Sequence, residues 1–172
     1  LAPNPDDSLE RQLRDNQARI LGAWREAIFA SFPPQSARLL TREQDPFRNP
    51  VGHRIGTGTE SLLEGFVSGR TPSELAATLD SLVRVAAVQD QPASQAVGFI
   101  FLLKRVLRAV VGEALSPAQL ALLDERIDGL ALAAFDIYAT CREQVCEIRI
   151  RAANRRVAAL IARFTGDVGD TE

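Results

Sequence analysis

Few side chains in this sequence are of types that make or break bonds, so each can be weighed against the chemistry it would have to do. His53 is the only histidine, methionine is absent, and the two cysteines, Cys141 and Cys146, are remote from His53 in sequence. A haem or metal site would therefore rest on His53 almost alone, where such groups take a defined ligand set. A surface or turn histidine is the better reading, with no metal and no cofactor expected. Gly52, Gly56 and Gly58 follow no strand signal and lack a Walker lysine, so close helix packing accounts for them better than a phosphate loop. Lys104 is the sole lysine among the 20 basic residues. A Schiff-base lysine needs an apolar pocket that lowers its pKa, whereas a lysine at a helix edge extends its ammonium into water. Asp124, Asp128 and Asp136 share one helix but have no second cluster to work against. No nucleophile and base can be assembled, and no catalytic residue is assigned.

Two further groups point to binding instead. The break Gln89-Asp90-Gln91-Pro92 reads as an interhelical corner whose Asp and Gln side chains cap the flanking helix ends. In a functional reading, Gln89, Asp90 and Gln95 supply the few polar groups of an apolar ligand pocket lined by Phe99 and Phe101. The basic run from Arg149 to Arg156 has the side chains that contact phosphates, but it lacks aromatics for stacking, so nucleic acid is not an expected partner.

The elements that must position these residues read as helices, with strand signals nearly absent. Asp7 to Glu10 forms a capping-box pattern, and the apolar spacing from Leu9 to Ile28 predicts a helix over about 8 to 31, stopped by Pro33-Pro34. Residues 35 to 48 hold no sustained period. Asn49 caps a second helix with Pro50 at its first position, ending at Ser68-Gly69. Thr71-Pro72-Ser73-Glu74 is a capping box for a third, running to about Gln89. Pro92 opens a fourth, apolar on nearly every side and so expected to be largely buried, which ends near Gly112. Ser116-Pro117 starts a last helix in which only Gly129 weakens the pattern before Gly166.

Along that last helix the apolar surface narrows. From Leu120 to Tyr138 it is apolar all round, and beyond that Tyr138, Cys141, Val145, Ile148 and Ala152 recur at steps of three and four. That is the spacing of a helix-to-helix seam, and these five residues are the expected subunit interface of a homodimer, flanked by Arg142, Arg149 and Arg156. Packing of the same stripe against its own domain is the competing reading. Cys141 and Cys146 lie about 140° apart on this helix with Cα atoms roughly 8.7 Å apart, so they cannot bridge each other. Buried packing thiols are favoured over redox sensors.

At 172 residues, 46% hydrophobic and 24% charged, the chain is sized for a single helical domain over 1–172, with a core over about 8–140 and an extended terminal helix over about 117–165. The net charge of −2 provides no global field toward nucleic acid or an anionic membrane. The longest apolar runs fall short of the roughly 18 to 20 residues of a spanning helix, and a reducing, cytoplasmic setting is the simplest fit to two unbridged thiols.

The segments Pro46-Phe47-Arg48-Asn49-Pro50-Val51-Gly52 and Leu82 to Lys104 (LVRVAAVQDQPASQAVGFIFLLK), with Phe135-Asp136-Ile137-Tyr138 and Cys141-Arg142-Glu143, resemble the amino-terminal domain of the RsbT co-antagonist (RsbRD-type) proteins over roughly residues 9 to 160. The resemblance implies an all-α, globin-like but non-haem sensor domain of the bacterial stressosome, usually dimeric and without enzymatic activity. Full-length members of that family continue into a STAS domain that contacts a partner kinase. The resemblance carries over no catalytic residues and names no ligand. Two functional readings follow: a non-catalytic sensor or adaptor that dimerises and relays a signal to a regulatory protein, and a carrier or redox sensor that binds a small apolar ligand. With His53 as the only imidazole, the purified protein is expected to be colourless; a Soret band abolished by His53→Ala would overturn that expectation.

Overall fold

The computed structural model describes residues 5–35, 37–38, 45, 47–88 and 90–167. Among them there are helices and no strands, as the punctuation of the sequence predicts. The helices are α1 (Pro5–Asp15), α2 (Gln17–Ala30), α3 (Pro50–Val67), α4 (Ala76–Val88), α5 (Ala93–Val111) and α6 (Pro117–Asp167), with a 3-10 turn at Gly112–Ala114.

Local capping accounts for most boundaries. The Asn49 side chain accepts a 2.8 Å hydrogen bond from the Gly52 amide at the start of α3, with Pro50 in the first turn. Gly69, at φ +71, ends that segment in the left-handed region. The box before α4 closes as predicted, the Thr71 amide donating to Glu74 Oε2 at 2.8 Å, although residues 72–75 form turns and the α-helix itself begins at Ala76. Ser116 and Gln119 form a second reciprocal box ahead of α6: the Ser116 amide donates to Gln119 Oε1 at 2.8 Å and the Gln119 amide to Ser116 Oγ at 3.3 Å.

Two expectations need correction. The first helix is not continuous over 8–31: it begins at Pro5 and breaks at Asn16, whose φ of −108 and ψ of 6 leave the helical region. The Asn16 side chain donates to Gln12 O at 2.9 Å, competing locally with the helical ladder. The break lets α1 pack on α6 while α2 packs on α5. The fourth helix of the sequence reading, α5, is buried on one face only, at Ala96, Val97, Ile100, Leu103, Leu107 and Val111, and leaves Phe101 half exposed. Its neighbours α2 and α6 cover that face.

The core centres on Trp24, which is fully buried. Its Nε1 donates to Phe99 O at 2.7 Å, and its ring stacks on Phe99 with centroids 6.2 Å apart. Arg25, one residue on, ties α2 to α3 by donating to Thr59 Oγ1 at 3.2 Å, to Gly56 O and to Glu60 Oε2 at 3.0 Å. Close packing does explain Gly58, where an added Cβ would come within 2.6 Å of Leu82 Cδ2. Gly52 instead accommodates the Asn49 cap, and a Cβ added at Gly56 would meet nothing within 4 Å. Replacing Trp24 with Ala is expected to cost about 3 to 5 kcal/mol, read as a lowered urea midpoint. The same change at Phe47, 94% exposed, should stay within about 0.5 kcal/mol.

Candidate functional site

The chemistry-bearing residues of the sequence do not converge in space. His53 is exposed on α3. Lys104 donates to Asp128 at 2.7 Å and lies 3.6 Å from Asp124, while Arg108 pairs with Asp124. These contacts staple α5 to α6, and the hydrogen bond to Asp128 raises the Lys104 pKa, the reverse of what a nucleophilic lysine requires. Cys141 is buried with its Sγ 3.9 Å from Asp80 Oδ1, and burial pushes its thiol up, so it is an inert packing thiol. Cys146 is exposed.

The ligand-pocket residues are likewise dispersed. Gln89 lies outside the described residues, Gln95 is exposed, Phe101 is 50% exposed, and Phe99 is taken up by Trp24. An open cleft of about 330 Å3 lies elsewhere, lined by Glu10, Phe66, Gly69, Arg70, Pro72 and Arg126 among others and by none of the five. There the Arg126 guanidinium sits 4.8 Å over the Phe66 ring and donates to the Phe66 carbonyl.

What the fold does assemble is a grip between the α4–α5 corner and the terminal helix. The Gln91 amide donates to Ala86 O at 3.1 Å, closing α4 in a Schellman-type turn with Asp90 in the left-handed position at φ 60. Glycine is the usual occupant there, since a Cβ is penalised. Asp90 stands in its place with its carboxylate turned to α6. Arg149 grips both oxygens, Nη1 to Oδ1 at 3.1 Å and Nη2 to Oδ2 at 2.6 Å, and Arg142 pairs with Oδ1. Arg142 also donates to Ala87 O at 3.1 Å, a carbonyl in the last turn of α4. One turn earlier, the Tyr138 hydroxyl donates to Gln91 O at 2.5 Å. Asp90 therefore clamps α6 instead of capping a helix end, and Pro92 at the start of α5 has no side-chain cap.

This grip changes the meaning of the expected interface stripe. Tyr138 and Cys141 face their own domain, Val145 and Ala152 are half-buried, and Ile148 is exposed. Arg142 and Arg149, expected beside a subunit seam, are engaged by Asp90 within the same chain. Composition and periodicity missed the Asp90 cluster. The available signal was a non-glycine residue at a helix-terminating corner and two arginines seven apart.

The arginine hydrogen bonds, from Arg149 first and then Arg142, hold the Asp90 carboxyl down to about 2 from its ordinary 3.8. A depressed acid stabilises the fold above its unfolded pKa and loses that contribution as pH falls through the folded one. Acidification from about pH 4 to about pH 2 is therefore expected to free residues 142–149 in the wild type, as seen by amide hydrogen exchange. An Asp90→Asn variant should show the same loosening already at pH 7. Identical exchange of the two proteins at pH 7 would show that the pairs hold nothing.

No curated protein and no solved structure matches the chain. The RsbT co-antagonist protein rsbRD N-terminal domain matches over residues 18–153, a span that includes the α4–α5 corner and all three residues of α6 that it holds. With most of its length covered by that match, this chain belongs to the RsbT co-antagonist protein rsbRD N-terminal domain family.

Proposed function

We propose that this chain is a signalling input domain, without catalytic activity of its own, that self-associates and passes changes in its helical body to a protein partner through its terminal helix. The observation that carries this reading is the build of α6. It is one unbroken helix over Pro117–Asp167 whose first half supplies core residues such as Leu123, Ile127, Leu130 and Ala134, and whose second half leaves the body just past the Asp90 grip. A rod anchored in a core at one end converts a small rearrangement of that core into a displacement at the other. The family assignment supports a stressosome-type signalling role. No group of three or more His, Cys, Asp or Glu side chains among the described residues is placed to hold a metal ion, and no described helix is long and apolar enough to cross a membrane. Homodimerisation and a cytoplasmic setting belong to this reading. The carrier reading on Gln89, Asp90, Gln95, Phe99 and Phe101 draws less support, since Asp90 is committed to two arginines and Phe99 to Trp24.

Native mass spectrometry separates the two. The signalling reading expects an assembly of protein chains with no small molecule retained. A stoichiometric bound molecule on a single chain would overturn it in favour of carriage.

A further inference from the structure

The open cleft of about 330 Å3 lies where three elements meet. Glu10 comes from α1, residues 68–72 from the corner between α3 and α4, and Leu122 and Arg126 from the buried half of α6. The amides of residues 68–71 are all consumed locally: Ser68 donates to Glu64 O, Gly69 to Phe66 O, Arg70 to Gly65 O and Thr71 to Glu74 Oε2. No backbone nest is left to take an anion, so recognition falls to side chains. Those of Glu10, Ser68 and Arg70 make no hydrogen bond or ion pair among the described residues. Glu74, the carboxylate that senses the Arg70 charge, is already held by the Thr71 amide and hydroxyl. These unused groups gather around Gly69. A Cβ there would lie 2.7 Å from Glu10 Oε1 and 4.0 Å from Arg126 Nη2, so the Glu10 carboxylate rests against bare backbone. Leu122 and Pro72, both half-buried, supply an apolar wall.

We propose that this cleft binds a free amino acid with an apolar side chain: Glu10 receives its ammonium, Arg70 its carboxylate, and Leu122 and Pro72 its side chain. Charge selects the class. A bare carboxylate or phosphate would meet Glu10 as well as Arg70, and a bare amine would meet Arg70 and Arg126 as well as Glu10. Only a ligand carrying both charges is favoured by both signs. The volume fits a small molecule, standing at the low end of the roughly 300 to 1,000 Å3 of ligand sites. Both charged contacts are open to water, which weakens them and puts the affinity in the millimolar range. A ligand held that loosely leaves during purification, so the native mass expected above is unaffected. Because α6 forms part of the wall, occupancy bears on the helix that carries the output in the function proposed above, but the site itself does not depend on that function.

The test titrates the full chain with L-leucine and L-phenylalanine and follows its backbone amide shifts by nuclear magnetic resonance. The proposal expects saturable shifts at Gly69, Arg70 and Thr71 from at least one of them. The matching one-charge analogues, isocaproate and isoamylamine for leucine, hydrocinnamate and phenethylamine for phenylalanine, should bind roughly tenfold more weakly or worse. Glu10→Gln and Arg70→Gln should each weaken the amino acid roughly tenfold and leave the urea midpoint unchanged, because neither side chain holds another element. The variants should also differ from each other. Glu10→Gln should narrow the gap between the amino acid and its acid analogue, and Arg70→Gln the gap to its amine analogue. Absence of corner shifts up to about 20 mM of either amino acid, well past a millimolar Kd, would overturn the site and leave the signalling reading standing. An acid or amine analogue that binds as well as its parent, or an affinity unchanged in both variants, would overturn the roles of Glu10 and Arg70 and with them the ligand class.

Discussion

Burial of one side of α6, from Gln119 to Cys141, is the constraint from which the remaining architecture follows. Leu123, Ile127, Leu130 and Ala134 are each within 1% of complete burial, and α1, α4 and α5 all pack against the helix that carries them. Burying a Leu or Ile side chain contributes about 1.5 to 3 kcal/mol, against about 1 kcal/mol for a glycine in a helix interior. Gly129 therefore leaves the helix unbroken, and its place opposite Pro72, where a Cβ would make an ordinary 3.5 Å contact, shows no need for a kink. Because this helix is continuous, whatever moves its buried half also moves its projecting half.

The Asp90 grip sits where those halves meet. Its ion pairs are solvent-exposed, and exposed pairs individually contribute little. Here they act together with two backbone acceptors, Ala87 O and Gln91 O. The left-handed backbone of Asp90 costs on the order of 1 to 3 kcal/mol, and a glycine would remove that cost together with the carboxylate. The corner thus gives up local stability for a hold on α6 that sets its register. A contact built from exposed charges on an end-of-helix turn belongs to the less stable part of a fold, the part that opens first.

Beyond Arg149, the residues of the helix described to Ile161 are exposed, apart from the partly buried Ala152. Isolated helices shorter than about 12 to 15 residues are marginal in water, and residues 150–161 carry Ile150, Val157, Leu160 and Ile161 half exposed or more.

The local rules of the chain specify its helices well. The caps at Asn49, Thr71 and Ser116 depend on hydrogen bonds three residues long, so neighbours in sequence determine them, and the all-α class and the family resemblance were equally readable without coordinates. The break at Asn16, the one-sided burial of α5 and the role of Asp90 were not. Each depends on which neighbour an element meets, and the decisive contact here, Asp90 with Arg149, joins residues 59 apart. Periodicity revealed an apolar stripe through Tyr138, Val145 and Ile148 on the second half of α6. Only the packed structure shows Tyr138 and Cys141 turned to their own domain and Ile148 left exposed, because helical spacing specifies where a stripe runs and never which way it faces.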